Sequence, residues 1–460
     1  MTGKLGIYVQ VPFCQTRCTY CNFHTGVVAS SRFAPYVEAV CGEIRGHAEL
    51  LRAAGVSWGE GLVGKARSPV RQAQGKHEWL CHEAAVDTVY VGGGTPSLLD
   101  PVHLRHILDA IRGTFDSGAE EGNRGGGKSG GKPPHSKACA SGGGVYGEEE
   151  RRGSPQGAWQ APGGPYTTEF EEVTLEADPE TVETGKAASW MGAGINRVSF
   201  GLQSFADKEL IAAGRMHRRA DIYRAVPILR DAGIRNISFD LIAGLPHQTK
   251  ESWRQSLEEL VGLAPEHVSV YLLEIDEGSR LGKELLQGGG KYSAGAVPSE
   301  DEMAEFYEMA QEALGAAGYH HYEISNWAKP GFESKHNLKY WRREPYLGFG
   351  AGAHSFSGTE RWANAHDAAG YVAAVQGGRL PVEQHEELTA ESALEEELFL
   401  GLRQLDGIDV ARIEREYGVA LAKRFDSLAL AGFVERDGGV VRLAPGRLSV
   451  SNEVFVELLR

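Results

Sequence analysis

Long apolar runs are missing from this chain of 460 residues. No stretch approaches the ~20 consecutive apolar residues that a membrane-spanning helix needs. Positive charge is scarce: 47 Lys and Arg stand against 62 Asp and Glu, a formal net charge of −15. Nucleic-acid backbones and anionic lipid are therefore repelled, and no nucleic-acid partner is expected. Cysteine is also scarce. Cys14, Cys18, Cys21, Cys41, Cys81 and Cys139 are too few to staple a chain this long with disulfides. No leader is visible, because the first motif begins within ten residues of Met1. The expected setting is cytoplasmic, or an organelle matrix if the N-terminus is incomplete.

An apolar fraction of 42% excludes wholesale disorder. Strand candidates rich in β-branched and aromatic residues recur at Leu5–Gln10, Asp87–Val91, Glu172–Leu175, Ile195–Phe200, Ile234–Leu241 and Val268–Leu273. Helix candidates fall between and after them, at Phe33–Leu51, Val102–Ile111, Ala220–Ala232, Ser252–Leu263 and Asp301–Ala317. Such alternation implies an α/β fold with a parallel sheet under covering helices, open or closed into a barrel. Two segments do not fit. Residues 53–83 have no clear period, and residues 117–165 hold 15 Gly in 49 positions, a composition that cannot bury enough surface to order itself. From Leu388 onward the pattern changes to helices over Leu388–Leu405, Val410–Tyr417 and Ala420–Ala431. A hairpin over Gly432–Leu443 and a last helix follow. This resembles a winged helix, but residues 386–460 carry 9 basic and 15 acidic side chains, so lid packing or protein interaction is expected rather than DNA binding. The expected division is 1–345, a connecting segment 346–385, and 386–460.

Three of the six cysteines lie within eight residues, with the spacing C-x3-C-x2-C at Cys14, Cys18 and Cys21, directly after the first strand. Thiolates ligate iron–sulfur clusters, and three on one loop hold three irons of a [4Fe–4S] cube while the fourth keeps an open position. A structural zinc site built from Cys14, Cys18, Cys21 and His24 is the alternative. The second strand runs into Gly92-Gly93-Gly94-Thr95-Pro96, where missing side chains let backbone approach a ligand at a strand's carboxyl end. This turn is not the G-x-G-x-x-G of dinucleotide sites. Polar residues follow near later strand ends at Glu176, Gln203 and Asp240, with Arg215 twelve residues past Gln203. Taken singly, such a residue is more often a capping or packing group.

The cysteine spacing after strand one resembles the signature of the radical S-adenosylmethionine (SAM) superfamily. The order of the strand-end residues resembles its coproporphyrinogen III dehydrogenase-like family, over about residues 5–460 apart from the two insertions. That resemblance implies a partial parallel (β/α) barrel with a C-terminal α+β winged-helix-like domain. It implies a [4Fe–4S] cluster on Cys14, Cys18 and Cys21, and SAM contacts from Tyr8, Gly93, Gly94, Thr95, Glu176, Gln203, Arg215 and Asp240. In that superfamily the open iron binds SAM, and an electron from the cluster cleaves its sulfonium.

Two activities share the family's scaffold: the oxygen-independent dehydrogenase, which decarboxylates two propionate arms, and a haem-chaperone branch. The dehydrogenase has a fourth cysteine two residues after the third, where this chain has Phe23. It also has a closing segment ahead of its first strand; with four residues before Leu5, that lid is expected to be absent unless the N-terminus is incomplete. His336-Asn337-Leu338-Lys339-Tyr340-Trp341 reproduces H-N-x-x-Y-W, a pattern of the chaperone branch. Neutral imidazole is a common axial ligand of haem iron, and Tyr340 and Trp341 offer flat surface to a porphyrin. Equally, His336 could bond its own loop while Tyr340 and Trp341 fill the core, and His354 is another candidate ligand. C-x-x-C-H is absent, so haem would be cargo held without that covalent attachment. The expected function is a SAM- and [4Fe–4S]-binding haem chaperone that passes haem to an acceptor protein. Oxidative decarboxylation of coproporphyrinogen III is the alternative, and a zinc-stabilised interaction protein the third.

Overall fold

The computed structural model describes residues 4–22, 25–53, 85–115 and 170–459. Phe23, His24, Cys81, Cys139 and nearly all of the two expected insertions lie outside them. Seven parallel strands carry the fold. They are β1 (Leu5–Val11), β2 (Val86–Gly93), β3 (Glu172–Ala177), β4 (Arg197–Gln203), β5 (Asn236–Ala243), β6 (His267–Leu272) and, returning beside β1, the strand Tyr346–Phe349. Helices α1 (Phe33–Ala53), α2 (Pro101–Phe115), α3 (Thr184–Ala193), α4 (Asp207–Ala212), α5 (Arg219–Asp231), α6 (Lys250–Leu263), α7 (Arg280–Leu286) and α8 (Glu300–Ala316) intervene. The antiparallel pair β7 (His320–Glu323) and β8 (Asn326–Ala328) extends the β6 edge, and α9 (Lys335–Trp341) leads into β9, the returning Tyr346–Phe349. Among the described residues the two sheet edges do not pair, so the barrel is partial.

Residues 346–385, expected as a connection, extend the sheet instead. After β9 come β10 (His354–Phe356), β11 (Glu360–Asn364), helix α10 (Ala368–Gln376) and β12 (Val382–Glu387), the strands running antiparallel beyond β9. The C-terminal module then has α11 (Ala390–Arg403), β13 (Ile408–Asp409), α12 (Val410–Tyr417), α13 (Ala422–Leu430), β14 (Val434–Asp437), β15 (Val440–Leu443) and α14 (Ser451–Leu459). Its three strands pair in the order β13-β15-β14, and the hairpin turns at Gly438-Gly439, with Gly438 at φ 59°. The helices and hairpin wing agree with the expected α+β module.

The parallel strands alternate sharply. On β4, Val198, Phe200 and Leu202 are fully buried in the hydrophobic core, while Arg197, Ser199, Gly201 and Gln203 line a cavity on the other face. On β5, Ile237, Phe239 and Leu241 join the core, and Asp240 and Ile242 line the cavity. A parallel sheet buried in apolar packing on both faces would read as continuous Val, Ile and Leu. Period-two polar residues therefore mark a wet interior. Helix starts are set locally: α6 and α8 open on capping boxes in which Thr249 answers Ser252 and Ser299 answers Glu302. Trp253 on α6 is fully buried and donates Nε1–H to the Phe306 carbonyl of α8 at 2.7 Å. Trp253→Ala is expected to cost about 3–5 kcal/mol, read as a lowered denaturation midpoint.

Candidate functional site

The cysteine loop leaves β1 and is pinned on every side. Cys14 N–H donates to the Gly26 carbonyl at 3.0 Å, and Gly26 N–H to Pro12 at 2.9 Å. Thr19 N–H donates to the Ala213 carbonyl after α4, and the Leu281 N–H of α7 donates to Thr19. The glycine turn closes over it from β2: Gly94 N–H reaches the Val11 carbonyl at 2.8 Å and Thr95 N–H the Phe13 carbonyl at 2.7 Å. This approach requires glycine. A Cβ on Gly94 would stand 2.4 Å from the Phe13 oxygen and 3.0 Å from Cys14 Sγ, and Gly93 has φ +116°.

All three thiols face a cavity of about 590 Å³ that also takes in Gly93, Gly94, Thr95, Glu176, Gln203, Arg215 and Asp240. Seven of the eight residues expected to contact SAM therefore converge. Tyr8, the eighth, sits beneath, its ring stacked on Tyr90 at 5.9 Å and its hydroxyl donating to Gln10 Oε1 at 2.5 Å. Burial pushes the Cys14 thiol above its usual range, and Cys21 and Cys18 add to the shift; bound iron would reverse it by drawing off the proton. Each thiolate of a cube binds its own iron, so the three need not converge on one point. A single zinc ion would draw its ligands to about 2.3 Å, and among the described residues no group of three or more His, Cys, Asp or Glu is so placed. The donor set fits the cluster.

The polar residues are held individually. Glu176 Oε2 accepts from Gly93 N–H at 2.9 Å and Oε1 from the Tyr90 hydroxyl at 2.9 Å. Burial nevertheless raises its carboxyl to about 7, with Asp240 and Asp178 adding to the rise. Burial also raises Asp240, against which the hydroxyls of Ser269, Ser199 and Ser238 act. Gln203 has φ +67° just past a bulge between Gly201 and Gln203, a strained geometry that aims its side chain off the strand. Arg215 donates to the Gly201 carbonyl at 2.8 Å, to Cys18 Sγ at 3.5 Å, and pairs with Asp178. Sequence reasoning missed Asp178, which also accepts from Thr95 Oγ1 at 3.2 Å and so joins the glycine turn to Arg215. It also missed Tyr90. Period-two counting back from Gly92 along β2 would have placed Tyr90 on the cavity face.

The H-N-x-x-Y-W residues lie on α9, where Asn337 lines this cavity while His336, Tyr340 and Trp341 do not. His336 is fully buried; Nδ1 lies 3.0 Å from Thr88 Oγ1 and Nε2 2.9 Å from the Tyr340 hydroxyl. Burial, with Lys339 and Arg197, lowers its pKa to about 3, so the ring is neutral. Neither nitrogen is open in this conformation. Tyr340 and Trp341 instead border a separate cleft of about 250 Å³ against α11, together with Tyr346 and Phe399. His354, the other haem-ligand candidate, opens β10 and is exposed.

The radical SAM superfamily model matches residues 8–260, and the HemN C-terminal domain model matches residues 388–451. The chain is 30% identical over 452 residues to the heme chaperone HemW of Bacillus subtilis, covering 97% of each chain. It is 32% identical to the heme chaperone HemW of Synechocystis, over 88% of this chain and 79% of that one. Among solved structures, the coproporphyrinogen III oxidase HemN of Escherichia coli superposes with a TM-score of 0.71 at 19% identity, covering 99% of this chain and 90% of that one. That likeness establishes the fold.

Gly94→Ala drives a methyl group into the Phe13 carbonyl and the Cys14 sulfur. Iron and sulfide bound per chain after anaerobic reconstitution should fall severalfold, while the far-ultraviolet circular dichroism of the sheet persists.

Proposed function

The chain belongs to the radical SAM superfamily, in its HemN- and HemW-like branch, and from that premise we propose that it is a SAM- and [4Fe–4S]-binding haem chaperone that hands haem to an acceptor protein. The observation that carries the first half is the convergence of three thiols, the glycine turn, Glu176, Gln203, Arg215 and Asp240 on one cavity. The haem half is supported by the HemW relatives, by Phe23 in place of a fourth cysteine, and by the H-N-x-x-Y-W residues. Cys14, Cys18 and Cys21 would hold the cluster, which when bound supplies an electron to the SAM sulfonium.

The remaining steps fall to the chain's own side chains. Glu176 would accept the amino group of SAM, since its carboxylate stands at the glycine turn and gains from any cation brought there. Arg215, held between Asp178 and Cys18, supplies a guanidinium for the SAM carboxylate. Asp240, buffered by serine hydroxyls, would accept from hydroxyl groups of the ligand. A reducing compartment, cytoplasmic or organellar, suits half-buried ligand thiols that open onto a cavity.

Haem coordination by His336 would require the Tyr340 hydroxyl to leave Nε2. Coproporphyrinogen III decarboxylation is the second reading, compatible with the fold shared with HemN. Product formation with SAM and a reductant, above uncoupled SAM cleavage, would put it first.

Two measurements follow. The amino group binds the carboxylate form of Glu176, whose pKa in the free protein is raised to about 7. SAM affinity should therefore rise as pH increases through about 7 and fall below it, and Glu176→Gln should flatten the profile. Haemin added to anaerobic protein should give a Soret band that His336→Ala weakens and Tyr340→Phe, which frees Nε2, strengthens. Equal bands in all three proteins remove His336 from the haem site, and no band in the wild type overturns the chaperone reading.

A further inference from the structure

Arg197 opens β4 and lies six residues from Gln203, about 20 Å along the strand from the proposed SAM end. Its side chain is among the largest fully buried ones, at 1% exposure, yet it borders the cavity. Among the described residues its Nε is buried without an acceptor. The ion pairs around it go elsewhere: Arg215 to Asp178, Lys339 to Asp87, and Arg403 to Glu323. Its charge bears on Tyr90, Asp240, Tyr322, His267 and His336. The two imidazoles are neutral by burial, and Asp240 is already engaged by Ser199 and Ser238. A buried guanidinium left this way is costly unless an anion arrives to pair with it.

SAM seated at the strands' carboxyl ends has one carboxylate, and Arg215 stands there for it. The anion for Arg197 must come from a second, longer ligand that descends into the barrel. A guanidinium fork matches a carboxylate through two parallel hydrogen bonds. Resting on the function proposed above, we infer that Arg197 receives a propionate arm of the tetrapyrrole held in this cavity. Haem and coproporphyrinogen both carry such arms, so the assignment serves either reading of the function.

The test titrates haemin and haemin dimethyl ester, whose propionates are blocked, into anaerobically reconstituted wild type, Arg197→Gln and Arg197→Lys. Arg197→Gln should weaken haemin binding about tenfold or more, leave the ester's affinity as in wild type, and retain iron and sulfide. Arg197→Lys, which keeps the charge without the fork, should fall between. Equal haemin affinity in wild type and Arg197→Gln overturns the assignment. Should Arg197→Gln fail to fold, wild type alone decides, because equal affinity for haemin and its ester overturns the assignment and weaker ester binding upholds it. A wild type that binds neither compound removes the parent reading and this one together, which sets that failure apart from the loss of Arg197 alone.

Discussion

Two main-chain hydrogen bonds, from Gly94 to Val11 and from Thr95 to Phe13, hold the glycine turn of β2 against the cysteine loop of β1. Everything at the mouth of the barrel depends on that closeness. It brings Cys14 beside Gly94, lets Gly93 donate to Glu176, and lets Thr95 reach Asp178. A side chain at position 94 has no space, so backbone sterics rather than side-chain chemistry set the distance between the thiols and the rest of the polar set.

The second organising feature is the division of the sheet into an apolar outer face and a polar inner one. Outward residues of β4 and β5 supply core packing under the helices, and inward ones supply hydroxyls, the carboxyl of Asp240 and the guanidinium of Arg197. Burial in this interior acts in one direction on every group: it disfavours charge, raising Glu176 and Asp240 and lowering His336. The acids are thereby poised to gain from a cationic ligand. His336, neutral and bonded through both nitrogens, is a strut between β2 and α9 as it stands.

The C-terminal module contributes to the same cavity through Leu448, Ser451 and Asn452, and α11 sends Arg403 to its wall. Its acidic balance disfavours DNA, and the structure places part of it beside the candidate site. The module is thereby an element of the pocket's boundary.

Much was legible from local pattern. Strand–helix alternation, the C-x3-C-x2-C spacing, the glycine turn and the polar strand ends are short-range signals. They arise from period, sterics and ligand chemistry within a few residues. The hairpin at Gly438-Gly439 and the starts of the C-terminal helices were readable for the same reason. What neighbours what across the barrel was not readable. Asp178 bridging Thr95 to Arg215, Thr88 bonding the ring of His336, residues 346–385 extending the sheet, and Arg197 buried with no ion pair among the described residues all depend on segments far apart in the chain meeting. Residue types and spacing thus determined which chemistry the chain carries. Only tertiary packing decided which groups are paired and which are left waiting, because pairing and desolvation are properties of the assembled interior.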